Sequence, residues 1–261
     1  MTTSGEAYLT MGVANRPRDD KLSDGGDDAW FLTNSVFNAV GVADGVGAWR
    51  SKGINAGDCS RELMSLCREY YGDSYNFGSL PQTCLETVIP RLRAEGSTTV
   101  LIAKLSEDTD LPILEVAQIG DSDLVVYRQN YVVFQTLPQQ HRHNQPFQVG
   151  PREADSADDA QNYSVSVQPA DYIVLGTDGL WDNLYASQVA QILADAPEGV
   201  SPNTLANLIA SAAYAASQDP DIWSPFAQRA YEQGEIRRQN FEEHLGGKPD
   251  DITVIVCQVL V

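Results

Sequence analysis

The chain has 261 residues, 43% hydrophobic and 20% charged, which suits one large domain or two small ones with a substantial core and excludes disorder throughout. Its 17 Lys and Arg against 36 Asp and Glu give a formal net charge of -19. A surface that negative repels phosphate backbones and anionic lipid, so no nucleic-acid partner is expected.

Three strands are predicted first, from EAYLTMGVAN, DAWFLTN and FNAVGVA, each an alternating or apolar run ended by turn residues. From Gly57 to Tyr70, the residues Leu63, Leu66, Cys67 and Tyr70 recur at helical spacing, and TCLETVIPRLRAE predicts a second helix that runs on through Pro90. STTVLIAKL, ILEVAQIG, SDLVVYRQ and YVVFQT follow with turn residues between them, as an antiparallel meander does. Pro138 to Gln161 carries His141, His143, Pro146, Pro151 and the acidic run ADSADDA, and predicts a long surface loop, either a flap or a solvated insertion. NYSVSVQ and DYIVLGT are two more strands. SQVAQILADA and PNTLANLIASAAYAAS are two more helices, the second opened by Ser201-Pro202, and ITVIVCQVLV is the final strand. Helices in pairs between groups of antiparallel strands predict an α+β fold over residues 1–261: an αββα sandwich, two antiparallel sheets face to face and flanked by helices.

Cys59, Cys67, Cys84 and Cys257 show no CxxC pair and no regular spacing, so reduced thiols are expected instead of a disulfide framework. No apolar stretch approaches the ~20 residues that span a bilayer, so membrane insertion is not expected. Met1 to Pro17 has neither the apolar core of a signal peptide nor the Arg- and Ser-rich character of a transit peptide, as a trimmed form also lacks them. A soluble, intracellular monomer is the expectation.

Chemistry is concentrated in four acidic blocks: GGDDAWF, GVADGVGAW, LGTDGLWDN and KPDDITVIV. Asp27, Asp44, Asp178 and Asp250 stand beside Gly or at the lip of an apolar run, where a strand ends and the chain turns. A single Asp-Gly step is ordinarily only a turn. Two of them, with acid pairs at Asp27-Asp28 and Asp250-Asp251, point to more. Carboxylates forced together raise one another's pKa unless cations hold them. Oxygen ligands without His or Cys select Mg²⁺ or Mn²⁺, and a two-metal centre activates water and stabilises in-line phosphoryl displacement.

In this order the blocks resemble the metal-dependent protein phosphatases of type 2C, the PPM family: an acid pair before a strand, then ADGVG, GSTT, IGDS, TDGLWD and DDITV. GVADGVGAWR, SPFAQ at Ser224 to Gln228 and GGKPDDITV resemble its organellar branch, which includes the mitochondrial T-cell-activation phosphatase homologue and the chloroplast photosystem II core phosphatase. The resemblance implies a chloroplast or mitochondrial enzyme. It implies hydrolysis of phosphoserine and phosphothreonine in phosphoprotein substrates, by attack of a hydroxide bridging two metal ions. Asp44 then bridges both ions and the Gly45 carbonyl binds one. Asp178 and Asp250 complete the first ion's shell, and Asp27 serves the second, directly or through water. Asp121 and Asp182 match positions that hold a weaker third ion. Asp44 and Asp178 are the residues on which catalysis is expected to rest. Asp28 is expected to support the ligands from behind, and GSTT at Gly96 to Thr99 to be a structural turn with no phosphate-binding role.

Two departures from the family pattern stand out. Val46 occupies the place of a general-acid His, and Ser23 that of a phosphate-binding Arg. Lys21, with Arg18 near it, is the substitute expected to hold the phosphate. His141 and His143 are weighed as inert loop residues against a reach into the site. A catalytically silent binding or regulatory module on the same fold is the alternative reading, and a two-metal nuclease a more distant one that the net charge opposes.

Overall fold

A strand buried on both faces reads as an unbroken apolar run, and the centre of this fold is written that way. The computed structural model describes residues 7–34, 36–106, 112–152, 155–233 and 245–261. In chain order its elements are β1 (Tyr8–Arg16), β2 (Asp28–Leu32), β3 (Ala39–Asp44), α1 (Ala56–Gly72), α2 (Pro81–Val88), β4 (Val100–Ser106), β5 (Ile113–Ile119) and β6 (Asp123–Arg128). There follow β7 (Tyr131–Gln135), β8 (Gln140–Arg142), β9 (Gln145–Pro146), β10 (Gln161–Ser166), β11 (Tyr172–Gly176), α3 (Asp178–Trp181), α4 (Ala186–Asp195), α5 (Pro202–Ser217), α6 (Pro225–Glu232) and β12 (Ile252–Leu260).

One sheet has the order β1-β12-β11-β6-β7 and the other β10-β5-β4-β3-β2, with neighbouring strands antiparallel throughout. The period of two along each strand sorts its side chains between layers. Val40, Val42, Leu101 and Ala103 meet Leu175, Ile255 and Cys257 between the sheets. Ala39, Ala43, Val100 and Ile102 point the other way, to Leu63, Cys67 and Leu85 of α1 and α2. Val174, Val254 and Val256 pack on Val189, Leu205 and Ile209 of α4 and α5. The four layers are those of an αββα sandwich. All four cysteines are free and buried. Among the described residues no helix is long and apolar enough to cross a membrane.

Three predicted elements differ. The meander is split: β4 and β5 lie in one sheet and β6 and β7 in the other, and the chain changes sheet at Gly120-Asp121-Ser122. The second helix ends at Val88 and gives way to a 3-10 turn at Ile89–Arg91, because Pro90 has no N–H and its ring clashes with the carbonyl four residues earlier. The predicted surface loop holds the hairpin β8–β9 and a 3-10 turn at Ala157–Asp159 closed by a Ser156 capping box. Residues 153–154 of that loop, and residue 6 of the first predicted strand, lie outside the described residues.

Antiparallel order places the C-terminal ends of β3, β5 and β11 beside the N-terminal ends of β2, β4, β6 and β12, all at one end of the sandwich. Leu101 is fully buried between the sheets, whereas Tyr131 on edge strand β7 is 75% exposed. Leu101→Ala is expected to cost about 2–5 kcal/mol in urea unfolding, and Tyr131→Ala no more than about 0.5 kcal/mol.

Candidate metal centre

At that end of the sandwich the acidic blocks converge. Asp44 ends β3, Asp121 lies in the sheet-changing turn, Asp178 follows β11 and Asp250 precedes β12. These four line one cleft of about 440 Å³, with Gly45, Val46, Thr99, Lys21 and Lys248. The GSTT turn fixes the end of β3: Thr99 N–H and Thr98 Oγ1 both donate to the Asp44 carbonyl at 2.9 Å, and Asp44 N–H donates to Thr99 Oγ1 at 3.1 Å. Glycine after Asp44 and after Asp178 is demanded by close approach. A Cβ on Gly45 would lie 2.4 Å from the Ala56 carbonyl oxygen, and one on Gly179 would lie 1.9 Å from that of Asp251. The Asp-Gly steps are therefore packing devices that hold Asp44 and Asp178 in place.

Behind the cleft, Asp28 stands opposite Asp44 in the β2–β3 register. Its Oδ2 accepts from Thr177 Oγ1 and Thr253 Oγ1, both at 2.7 Å. One buried carboxylate thus joins β2 of one sheet to the chain beside Asp178 and to β12 of the other. Its Oδ1 and the Oδ1 of Asp178 are buried with no hydrogen-bond partner.

The electrostatics are those of crowded like charges. Burial, then the charge of Asp178, pushes the Asp44 carboxyl well above the ordinary 3.8, with Asp28 and Asp250 adding to the repulsion. Burial and Asp251 do the same to Asp28. Burial and Asp178 raise Asp121 up to about 8, and they raise Asp250 as well. Asp123, at the start of β6, is pushed by burial to about 7.

Among the described residues no three of these side chains close on one point as a finished metal shell. Two ammonium groups stand between them instead. Lys21 Nζ lies 2.7 Å from Asp251, 2.8 Å from Asp27 and 3.5 Å from Asp250. Lys248 Nζ pairs with Asp178, with Asp182 at 2.7 Å and with Asp250 at 3.4 Å. Burial works to lower both lysines, yet the carboxylates, Asp250 first for Lys21 and Asp178 first for Lys248, hold them above their ordinary value.

The inner donor set still fits a hard divalent cation. It offers carboxylates and the Gly45 backbone, with no His or Cys among the cleft-lining residues. A partnerless buried oxygen on Asp178 and the repulsion felt by Asp44 are both relieved by positive charge.

The other predicted residues lie apart from this set. Asp27 is fully buried and does not line the cleft. Arg50 Nη2 and Nε donate to it at 2.5–3.1 Å, and Lys21 reaches its Oδ2. Burial works to raise the Asp27 carboxyl, but these cations, Arg50 first, hold it below its usual range. Asp182 does not line the cleft either; Arg229 and Lys248 share its carboxylate. Lys21 lines the cleft, but its three N–H groups face three carboxylates, which leaves no donor for a phosphate. Arg18 stands at the rim with its guanidinium on Asp20. His141 stacks on Phe147 at 3.9 Å and pairs with Asp155, away from the carboxylates, while His143 packs on Phe226 of α6.

Sequence reasoning missed four participants. Arg50 closes the GAWR motif, and Lys248 opens KPDD, so both had a signal. Gln140 on β8 donates to Asp121 Oδ2 at 2.7 Å, and Arg229 follows SPFAQ directly. The hairpin is a cleft wall: Asn144 and Pro146 line it.

A carboxylate-lined cleft at one end of an αββα sandwich is the architecture that the resemblance to the metal-dependent phosphatases implies. Comparison with known proteins makes the family particular. Residues 38–260 match the family model described as Stage II sporulation protein E. "Probable protein phosphatase 2C 55" of Arabidopsis thaliana is 36% identical over 258 residues, covering 98% of this chain and 51% of the relative. The chain spans about half the length of the curated relatives it first matches. The crystal structure of the photosystem II phosphatase PBCP superposes with a TM-score of 0.89 at 32% identity, covering 96% of this chain and 98% of that one. The catalytic domain of the serine threonine protein phosphatase PstP, in complex with 2 manganese ions, shares the fold alone, with a TM-score of 0.63 at 15% identity over 98% of this chain and 100% of that one. The chain belongs to the type 2C, or PPM, family of metal-dependent protein phosphatases.

The raised carboxyls make a pH prediction with a definite sign. Each holds its proton to a higher pH folded than unfolded, so from about 4 to about 8 the folded chain binds more protons and loses stability as pH rises. Asp27 acts oppositely, but below that window. In chelator, Tm is expected to fall between pH 5 and pH 8. Mn²⁺ or Mg²⁺ is expected to raise Tm more at pH 8 than at pH 5, because cation binding displaces protons. Calorimetry at the two pH values checks both signs.

Proposed function

We propose that this chain is a protein serine/threonine phosphatase using Mg²⁺ or Mn²⁺, and that it acts as one phosphatase domain. The observation that carries the reading is the set Asp44, Asp178, Asp250 and Asp121 on one cleft, at the ends of strands from both sheets. Family membership and the names of the relatives support the activity and the phosphoprotein substrate. In this reading Asp44 would be shared between the two ions, the Gly45 carbonyl would hold one of them, and Asp178 and Asp250 would hold the other. Asp27, held by Arg50 and Lys21, would serve the second ion only through water. When bound, the ions supply an activated water and neutralise charge on the phosphoryl group.

The chain's own residues do the rest. Thr98 and Thr99 fix the direction of Asp44, and Asp28 locks the two sheets so that Asp178 and Asp250 stay opposite it. Arg18 and Arg50 place positive charge at the rim for an incoming phosphate. Val46 supplies no proton, so the departing serine or threonine oxygen takes one from solvent water in the open cleft.

The chloroplast is the proposed location, supported by the photosystem II phosphatase neighbour; the mitochondrion has no such support. A monomer is the proposed state.

Assay of phosphoserine, phosphothreonine and phosphotyrosine peptides with Mn²⁺ tests the function. Turnover of the first two is expected, lowered in Asp44→Asn by more than the roughly 10–100-fold that loss of a supporting partner costs. Absence of Mn²⁺-dependent turnover on all three overturns the reading in favour of a silent module. Val46→His is expected to raise turnover of phosphoserine peptides by up to about 10²-fold. It should leave p-nitrophenyl phosphate unchanged, since that leaving group needs no proton.

A further inference from the structure

We propose that Lys248, seconded by Arg229, is a built-in cation occupying the place of a third metal ion, so that this chain binds two divalent ions and no third. This rests on the metal-dependent reading above. The resemblance assigns a third ion to Asp121 and Asp182, and the geometry of Asp182 does not fit that assignment. Asp182 is 5% exposed, and its two oxygens are divided between two protein cations: Arg229 holds Oδ1 and Lys248 holds Oδ2 at 2.7 Å. Asp121, the other expected ligand, accepts from Gln140 through its Oδ2.

Lys248 is delivered to this point by its backbone as well as its side chain. Its N–H donates to Asn183 Oδ1 at 2.8 Å, and its carbonyl accepts from Asn183 Nδ2 at 2.9 Å. The same Asn183 nitrogen donates to the Gly179 carbonyl, so Lys248 is tied to the helix α3 that opens with Asp178. Gly247 before it packs so closely on α5 that a Cβ would lie 2.1 Å from the Ala216 carbonyl oxygen, and Pro249 after it fixes φ. The ammonium then lies 5.3 Å from the centre of the Phe226 ring on α6.

Arg229 arrives on the same α6, whose first turn is capped by Ser224 Oγ; that hydroxyl also donates to the Gly246 carbonyl at 2.7 Å. Two separate segments, SPFAQ and GGKPDD, are thus fastened to each other, and each sends one cation to Asp182. A divalent ion at Asp121 and Asp182 meets two fixed positive charges and finds both Asp182 oxygens already bonded. Lys248 also pairs with Asp178 Oδ2, but the Asp178 Oδ1 has no partner, and Asp250 meets Lys21 and Lys248 only at 3.5 and 3.4 Å, so these oxygens, Asp44 and the Gly45 carbonyl are left for two ions.

Counting Mn²⁺ bound at equilibrium dialysis tests this without reference to turnover. Wild type is expected to saturate at two ions per chain through millimolar Mn²⁺, with the same count in Asp182→Asn and in Lys248→Arg. Lys248→Met/Arg229→Met is expected to take up a third ion, which addition of Asp182→Asn removes. A third ion in wild type that Asp182→Asn abolishes overturns the inference and leaves the phosphatase reading standing. A folded Lys248→Met/Arg229→Met chain that still binds only two also overturns it. If that double variant does not fold, wild type against Asp182→Asn decides alone: two ions in both support the inference, and a third ion in wild type, or one ion fewer in the variant, overturns it. Wild type that binds no Mn²⁺ overturns both the inference and the reading beneath it.

Discussion

Like charge confined to one end of a dry sandwich is the constraint on which the rest of this structure depends. Asp28, Asp44, Asp121, Asp178 and Asp250 are brought together by strand order, and burial strengthens every repulsion among them. The fold answers in three ways. Hydroxyl donors from Thr177 and Thr253 satisfy one oxygen of Asp28. Ammonium groups from Lys21 and Lys248 divide the remaining acids, and both reach Asp250. Asp44 and one oxygen of Asp178 are left for a cation that is not part of the chain. An arrangement costly for the bare protein is one that a small, hard cation would relieve.

The strand ends were legible because an apolar run that stops at Asp-Gly is a local signal, and Asp44 and Asp178 both carry it. The sandwich was legible because Val40-Gly41-Val42-Ala43 and Ile252 to Val259 are apolar on both faces, as only a covered strand can be. Pairing was not. That β4–β5 and β6–β7 fall in different sheets depends on contacts of β6 with β11, far along the chain, and IGDS reads equally well as a plain hairpin turn. The neutralised acids were the other blind spot. Asp27 looks like a ligand in isolation, and its partner Arg50 lies 23 residues on. Asp182 looks the same, with Arg229 a further 47 away. Charge partners across such separations have no spacing rule to betray them, whereas Lys248 stood inside a motif already noticed.

The walls of the cleft come from parts that pattern reading treated as peripheral. A hairpin inside a presumed loop presents Asn144 and Pro146 to the cleft and Gln140 to Asp121, and His143 rests on Phe226 of α6. Phe226 in turn lies under the Lys248 ammonium. SPFAQ is therefore a structural seat shared by the hairpin and the KPDD turn. This gives a physical reason for such a segment to accompany GGKPDD in one chain.

The position of β12 has a consequence for the order of events during synthesis. It lies between β1 and β11, and the Asp28–Thr253 bond spans 225 residues. On the ribosome, the helices and the β4–β5 hairpin can form from what has already emerged, but β1 waits for a neighbour made near the end of this sequence. Until then the first sheet is split, Asp250 has not joined Asp44 and Asp178, and no partly made chain can collect the full set of carboxylates. The cleft is thus among the last parts of this fold that topology allows to be completed.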